Sequence, residues 1–182
     1  MRLIILGSPG SGRGTQSQRL SKHFNIPEIS TGNILREGMA LGTDLGNQAK
    51  AYVEKGEWVP DEIIIEFMHQ RLLQSDVTGG WVLEGYPRTA FQAEELDFLL
   101  DRLEQKLSWA IYIEVSESVM MERCLKRSLK EDDPDIVKRR IENFRESTIP
   151  ILEYYDRRGR LLTLDGSLSP DLVEKNILNS LK

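Results

Sequence analysis

MRLIILGSPGSGRGTQ, residues 1–16, decides how the rest of the chain is read. Leu3–Leu6 is a short unbroken apolar run, as a strand covered on both faces requires. It passes straight into Gly7–Gln16, where glycine stands at positions 7, 10, 12 and 14. A glycine-rich turn between strand and helix points successive backbone N–H groups at an anion. The dipole of the following helix adds to the attraction. Glycine allows both the tight turn and the close approach of phosphate oxygens. Gly7 and Gly12 fit the phosphate-loop pattern GxxxxGK[ST], with Arg13 and Gly14 in place of its lysine and hydroxyl residue.

Working outward, four more segments read as buried strands: Ile26–Ser30, Trp81–Glu84, Trp109–Val115 and Leu161–Leu164. Longer stretches with helical spacing separate them. Ile63, Phe67, Met68, Leu72 and Leu73 form one apolar stripe, and Val173, Ile177 and Leu181 another. Asp133-Pro134 and Ser169-Pro170 each set a capping side chain before proline at the first helical position. Alternating strands and helices predict an α/β doubly wound parallel sheet with right-handed crossovers. Two segments stand outside the alternation. Residues 31–59 carry two short helical patterns broken by Gly42, Gly46 and Gly56, and residues 127–134 are polar and lie between two helices. Both suit flaps over a rigid scaffold.

The 182 residues amount to about one domain on the prior of roughly 150 residues per domain. With 40% hydrophobic and 29% charged residues, the composition is that of a globular chain, not a disordered or collagenous one. Acidic residues outnumber basic ones by 29 to 24, which argues against nonspecific nucleic-acid binding. The cluster Lys138-Arg139-Arg140 has acidic neighbours and reads as a solvated helix face. No apolar run approaches the ~20 residues of a membrane helix, and four apolar residues before Gly7 are too few for a signal-peptide core. A soluble cytoplasmic protein is expected. Cys124 is the only cysteine, so neither an intramolecular disulfide nor a multi-cysteine zinc cluster can form. His23 and His69 lack partner ligands at metal spacing.

GSPGSGRGTQ resembles the adenylate kinase form of the phosphate loop, GxPGxGKGTQ, in which glycine before threonine is normal. STGNILR (30–36) resembles STGDxLR, WVPDE (58–62) resembles LVPDE, and EGYPRTAFQA (84–93) resembles DGFPRxxxQA. ERCLKR (122–127), KRRIENF (138–144) and STIPILEYYDRRG (147–159) are similar to later segments of the same family. The likeness covers essentially the whole chain and is nearest to bacterial forms with a short lid and no zinc.

The resemblance implies a five-stranded parallel sheet in the order 2-3-1-4-5. It also implies a core of residues 1–30, 60–126 and 135–182, an AMP-binding insert 31–59 and a lid 127–134, both closing over substrate. The implied reaction is reversible phosphoryl transfer from MgATP to AMP, giving two ADP. ATP would be held by Gly10, Ser11, Gly12, Arg13, Gly14, Thr15, Arg123, Arg127 and Leu168. AMP would be held by Thr31, Arg36, residues Glu57, Trp58 and Val59, the turn Gly85, Tyr86 and Pro87, then Arg88, Gln92 and Arg140. Arg13, Arg88, Arg127 and Arg140 would act on the transferring group, with Glu84 orienting water around Mg²⁺. Taken singly, each arginine reads as a surface residue; their co-occurrence at motif positions reverses that reading. Thr31 and Gln92 match positions that contact the AMP adenine, and a buried polar pair left unmatched rejects a wrong base strongly. A monomer is implied, with ATP, AMP and ADP as its partners.

Four departures from the family pattern stand out: Arg13 replaces lysine, Asn33 replaces aspartate, Glu84 replaces aspartate, and the pair Ser128-Leu129 replaces a lid Gly-Arg. They keep two alternatives in view, a nucleotide-binding paralogue with little turnover and a kinase of UMP or CMP. A missing phosphate-binding arginine can cost roughly 10³–10⁵ in kcat where it acts as a finger, although Arg127 and Arg140 remain and Lys130 stands near. Leu129→Arg is therefore expected to raise kcat with a smaller effect on the KM of either nucleotide, because the new contact forms chiefly in the transition state. Steady-state kinetics with an unchanged or lower kcat would show that another cation already compensates.

Overall fold

The computed structural model of the chain describes residues 1–54, 59–127 and 134–181. The five strands are β1 (Arg2–Gly7), β2 (Glu28–Ser30), β3 (Trp81–Glu84), β4 (Trp109–Glu114) and β5 (Leu161–Asp165). All pair in parallel in the order β2-β3-β1-β4-β5, as expected. Eight α-helices are present among the described residues: α1 (Arg13–Phe24), α2 (Thr31–Leu41), α3 (Asp44–Glu54), α4 (Asp61–Leu72), α5 (Ala90–Arg102), α6 (Glu117–Arg127), α7 (Pro134–Asp156) and α8 (Pro170–Ser180).

Helices cover both faces because the interior positions of the central strands are apolar, with charged residues only at strand ends. Successive residues of β1 point to opposite sides. Leu3 and Ile5 join Leu20, Val173 and Ile177 in a core under α1 and α8. Ile4 and Leu6 join Phe67, Met68, Leu96 and Ile151 under α4, α5 and α7. Full burial of such a side chain stabilises by roughly 1.5–3 kcal/mol, so β1 is the most strongly anchored element of the sheet. Surface ion pairs such as Arg71–Asp76 are screened by solvent and add little by comparison. β5 departs from the expectation of strands covered on both faces, since none of its residues is fully buried; it is an edge strand.

The capping argument holds at Ser169, whose side chain accepts from Leu172 N–H and precedes Pro170 at the start of α8. Asp133 lies outside the described residues. The stripe on α4 needs a correction. Phe67, Met68 and Leu72 are core residues with Ile64 and Ile65, but Leu73 follows the helix and is 62% exposed. A 3.6-residue period carries the stripe only as far as the helix itself runs.

Gly46 also departs from its expected role. Gly42 ends α2 in a left-handed conformation (φ 65°), but Gly46 lies inside α3. There a Cβ would overlap the carbonyl of Gly38, so the two glycines let α2 and α3 cross in close contact. Gly56 lies outside the described residues. Gly46→Ala gains roughly 1 kcal/mol of helix propensity, while overpacking against backbone costs about 3 kcal/mol. A net loss of about 2 kcal/mol should lower Tm by roughly 4–8 °C. A melting point within about 1 °C of wild type would show that the helices part freely.

Candidate functional site

The strands of a parallel sheet all end at one edge, and open α/β sheets bind ligands there. A cavity of about 490 Å³ lies at that edge, lined by the loop 8–16, Glu84, Arg123, Arg140 and the start of α8. A second depression of about 540 Å³ lies elsewhere, between Met1, the end of α1 and α8. Its charged lining is Asp171, Glu174 and Lys175, with no row of backbone donors, so it is not the site.

The loop after β1 turns through Gly10 (φ 79°) and Gly12 (φ 93°), both left-handed, where a side chain would be strained. Gly10 also sits where a Cβ would meet the Met120 carbonyl at 2.8 Å, locking the loop against α6. Gly12 caps α1 without any side-chain hydrogen bond. The first N–H groups of α1 therefore have no side-chain acceptor from the cap, which suits an anion. Ser8 and Ser11 bury hydroxyls that have no partner among the described residues. Gly14 and Thr15 lie in the first turn and line the cavity with the loop.

Four guanidinium groups belong to this region. Arg13 donates from Nε to Glu84 Oε1 at 2.7 Å and from Nη1 to the Gly7 carbonyl at 2.8 Å. Arg123 reaches across from α6 to the carbonyls of Gly10, Gly166 and Ser167, tying the loop to the turn before α8. Leu168, in that turn, lines the cavity. Arg140 turns inward from α7 while Lys138 and Arg139 stay exposed, so the basic cluster is a solvated face only in part. Its Nη1 is buried with no hydrogen-bond partner among the described residues. Arg88 donates from Nε to the Gly85 carbonyl at 2.8 Å. Burial lowers its pKa to about 10, helped by the charges of Arg13 and Arg140 and opposed by Glu84. Such crowding of cations is the signature of a site built for anions.

Beside this cluster lies a group of buried side chains that includes two polar ones, Thr31 and Gln92. Thr31 is 2% exposed and donates to the Glu84 carbonyl at 3.3 Å. Gln92 is 3% exposed, and its amide orientation is set by its partners. Its Oε1 accepts from Arg88 N–H at 2.7 Å, and its Nε2 donates to Asp61 Oδ1 at 2.7 Å. One N–H and one lone pair of the amide stay available. Between them run Gly85 (φ 84°), Tyr86 and Pro87, all buried, with a cis Tyr86–Pro87 peptide bond. Tyr86 donates to the Gln92 carbonyl at 3.0 Å.

Two expected residues, Arg36 and Val59, are placed away from the loop cavity, and three more fall outside what is described. Arg36 is exposed on α2 and donates to Asn33 Oδ1 at 2.6 Å, apart from the loop cavity. Glu57 and Trp58 lie outside the described residues, as do 128–133 of the expected lid. Val59 packs against the main core. Arg127 ends α6, and its side chain lies outside the described set.

Sequence reasoning passed over Asp61. It begins α4, accepts from both Gln92 and Thr89 Oγ1, and so holds the amide in place. The signal available was an acidic residue just after Pro60, at a helix start. For a cation bound with nucleotide, Glu84 and the Thr15 hydroxyl supply hard oxygen donors at the cavity wall. That set fits Mg²⁺, which keeps waters and takes one or two carboxylates plus phosphates. Among the described residues no group of three or more His, Cys, Asp or Glu stands together.

A family model described as adenylate kinase matches residues 5–160. "Adenylate kinase 2" of Nostoc sp. (strain PCC 7120) is 62% identical over 181 residues, covering 100% of this chain and 98% of the relative. "Adenylate kinase 2" of Synechocystis sp. (strain PCC 6803) is 54% identical over 178 residues, covering 98% of each. "Adenylate kinase" of Xanthomonas campestris pv. campestris (strain B100) is 42% identical over 97% of each. Similarity of sequence that runs the length of the chain, the phosphate loop included, settles the kinship: the chain belongs to the adenylate kinase family.

Proposed function

We propose that the protein transfers the γ-phosphoryl group of MgATP reversibly to AMP, giving two ADP. The observation that carries this reading is the convergence of Arg13, Arg123 and Arg140 on one cavity at the strand edge, with Arg88 near Arg13 and Arg140 and with Arg140 Nη1 buried and without a partner among the described residues. In the forward reaction an AMP phosphate oxygen bonds to the γ-phosphorus while the bond to the β–γ bridging oxygen breaks. The electron pair of that bond leaves with ADP. Little covalent chemistry falls to the protein, so positioning and charge stabilisation supply the rate.

The loop amides and the first turn of α1 would take the ATP phosphates, with Arg123, Arg127 and Leu168 along the ATP side. Arg36 and Arg88 would hold the AMP phosphate, and Arg13, Arg127 and Arg140 the group in flight. Adenylate kinases use Mg²⁺ with ATP; here Glu84 would orient its water shell, and the ion would neutralise phosphate charge. No zinc is needed in this reading. The remaining N–H and lone pair of Gln92 suit the N1 acceptor and N6 donor of adenine, with Thr31 alongside. The insert 31–59 would close over AMP and exclude water, which suppresses idle ATP hydrolysis. No described helix is long and apolar enough to cross a membrane. We infer a cytoplasmic monomer that acts on ATP, AMP and ADP and not on nucleic acid.

A coupled assay for ADP formation from ATP and AMP tests the reading. Absence of turnover would favour a nucleotide-binding paralogue, and higher kcat/KM with UMP, CMP or GMP a different monophosphate kinase. Gln92→Ala should raise the KM for AMP roughly tenfold or more, the ~1.4 kcal/mol of a lost hydrogen bond, and far more than the KM for ATP. Equal effects on both would place Gln92 outside the AMP pocket.

Arg140→Met separates function from architecture. A guanidinium nitrogen buried with no partner among the described residues costs desolvation in the empty protein, so Tm should stay within about 2 °C or rise. The kcat should fall at least about a hundredfold, as for other groups aimed at developing charge. A clear drop in Tm with kcat intact would make Arg140 a structural residue.

A further inference from the structure

Two of the four departures from the family pattern meet in space. Parallel pairing sets Glu84 beside Ile5, so the end of β3 lies against the loop that follows β1. Arg13 opens α1 at the other end of that loop. The Nε–Oε1 distance of 2.7 Å joins the residue standing for the usual lysine to the residue standing for the usual aspartate. A third contact completes the unit: Ser30 Oγ, at the end of β2, donates to Glu84 Oε2 at 3.2 Å. The carboxylate is thus held from both sides.

We propose that Arg13 and Glu84 form one positioning unit, in which Glu84 pins the inner edge of the Arg13 guanidinium so that its outer edge faces the phosphates. This rests on the kinase reading above. A guanidinium has five N–H donors in a rigid plane. Among the described residues two are used, on Glu84 and on the Gly7 carbonyl. Three remain for a phosphate without either contact being given up. A lysine ammonium is a point charge on a flexible stem and cannot be oriented in this way. An aspartate at position 84 is one methylene shorter and falls short of the Nε–H. Each replacement is therefore matched to the other. Glu84 also supplies negative charge amid Arg13, Arg88 and Arg140 before any nucleotide arrives, as its opposing effect on Arg88 indicates.

A double-mutant cycle tests the unit. Arg13→Lys and Glu84→Asp should each lower kcat about tenfold, with smaller changes in either KM. The double variant, which restores the family pair, should return to within about threefold of wild type. A second readout needs neither metal nor turnover. In ligand-free, Mg²⁺-free protein labelled with ¹⁵N-arginine, the Arg13 Nε–H resonance, identified by its loss in Arg13→Lys, should exchange slowly with solvent. Glu84→Asp should speed that exchange at least tenfold. Multiplicative losses in the double variant, or exchange unaffected by Glu84→Asp, would overturn the proposal. A wild type that makes no ADP would instead overturn the kinase reading, and the exchange measurement would still decide the pair.

Discussion

The parallel pairing of β1 with β3 on one side and β4 on the other is the constraint on which the rest depends. β1 is buried at Leu3, Ile4, Ile5 and Leu6, so its direction and register have no freedom to slip. A one-residue shift would exchange the face under α1 and α8 for the face under α4, α5 and α7. Because β1 is fixed, the loop that follows it emerges at a single place. The end of β3 comes to the same edge, and from it Glu84, the turn through Gly85 and the backbone of Arg88 take their positions.

Charge is the second organising element, and it works against stability before it works for function. Arg13, Arg88 and Arg140 repel one another, and burial of Arg88 deepens the penalty. A packed protein tolerates this only with a counter-charge or a strong reason to wait for one. Glu84 is the counter-charge here, and a nucleotide phosphate is the natural remedy for the remainder. The buried, unpartnered nitrogen of Arg140 is the same argument at one atom. The exposed pairs around the surface, such as Arg145–Glu117, are screened and position nothing in the cleft.

Base recognition follows a different logic from phosphate binding. Gln92 is buried, and each end of its amide is tied to a partner of known polarity, a backbone N–H and a carboxylate. An amide held this way cannot turn over to suit another base. In the proposed reading, selectivity for the base would come from Asp61 and the Arg88 backbone as much as from Gln92 itself. Asp61 accepts from both Gln92 and Thr89, and neither bond is foreshadowed by its neighbours in the chain.

By itself the sequence determined the strands, the phosphate loop, the Ser169 cap of α8 and the positions of the arginines. Each is written in a few consecutive residues: an apolar run fits a covered strand, and glycines at 10 and 12 suit a backbone with positive φ. Tertiary structure alone decided the Arg13–Glu84 bond, the Asp61–Gln92 lock, the close crossing at Gly38 and Gly46, the end of the α4 stripe before Leu73 and the inward turn of Arg140 beside exposed Arg139. These depend on which distant segments lie side by side, and that is set by strand register and helix packing. Local pattern carries backbone preference and burial, and side-chain partnership across the sheet has no local signal to be read.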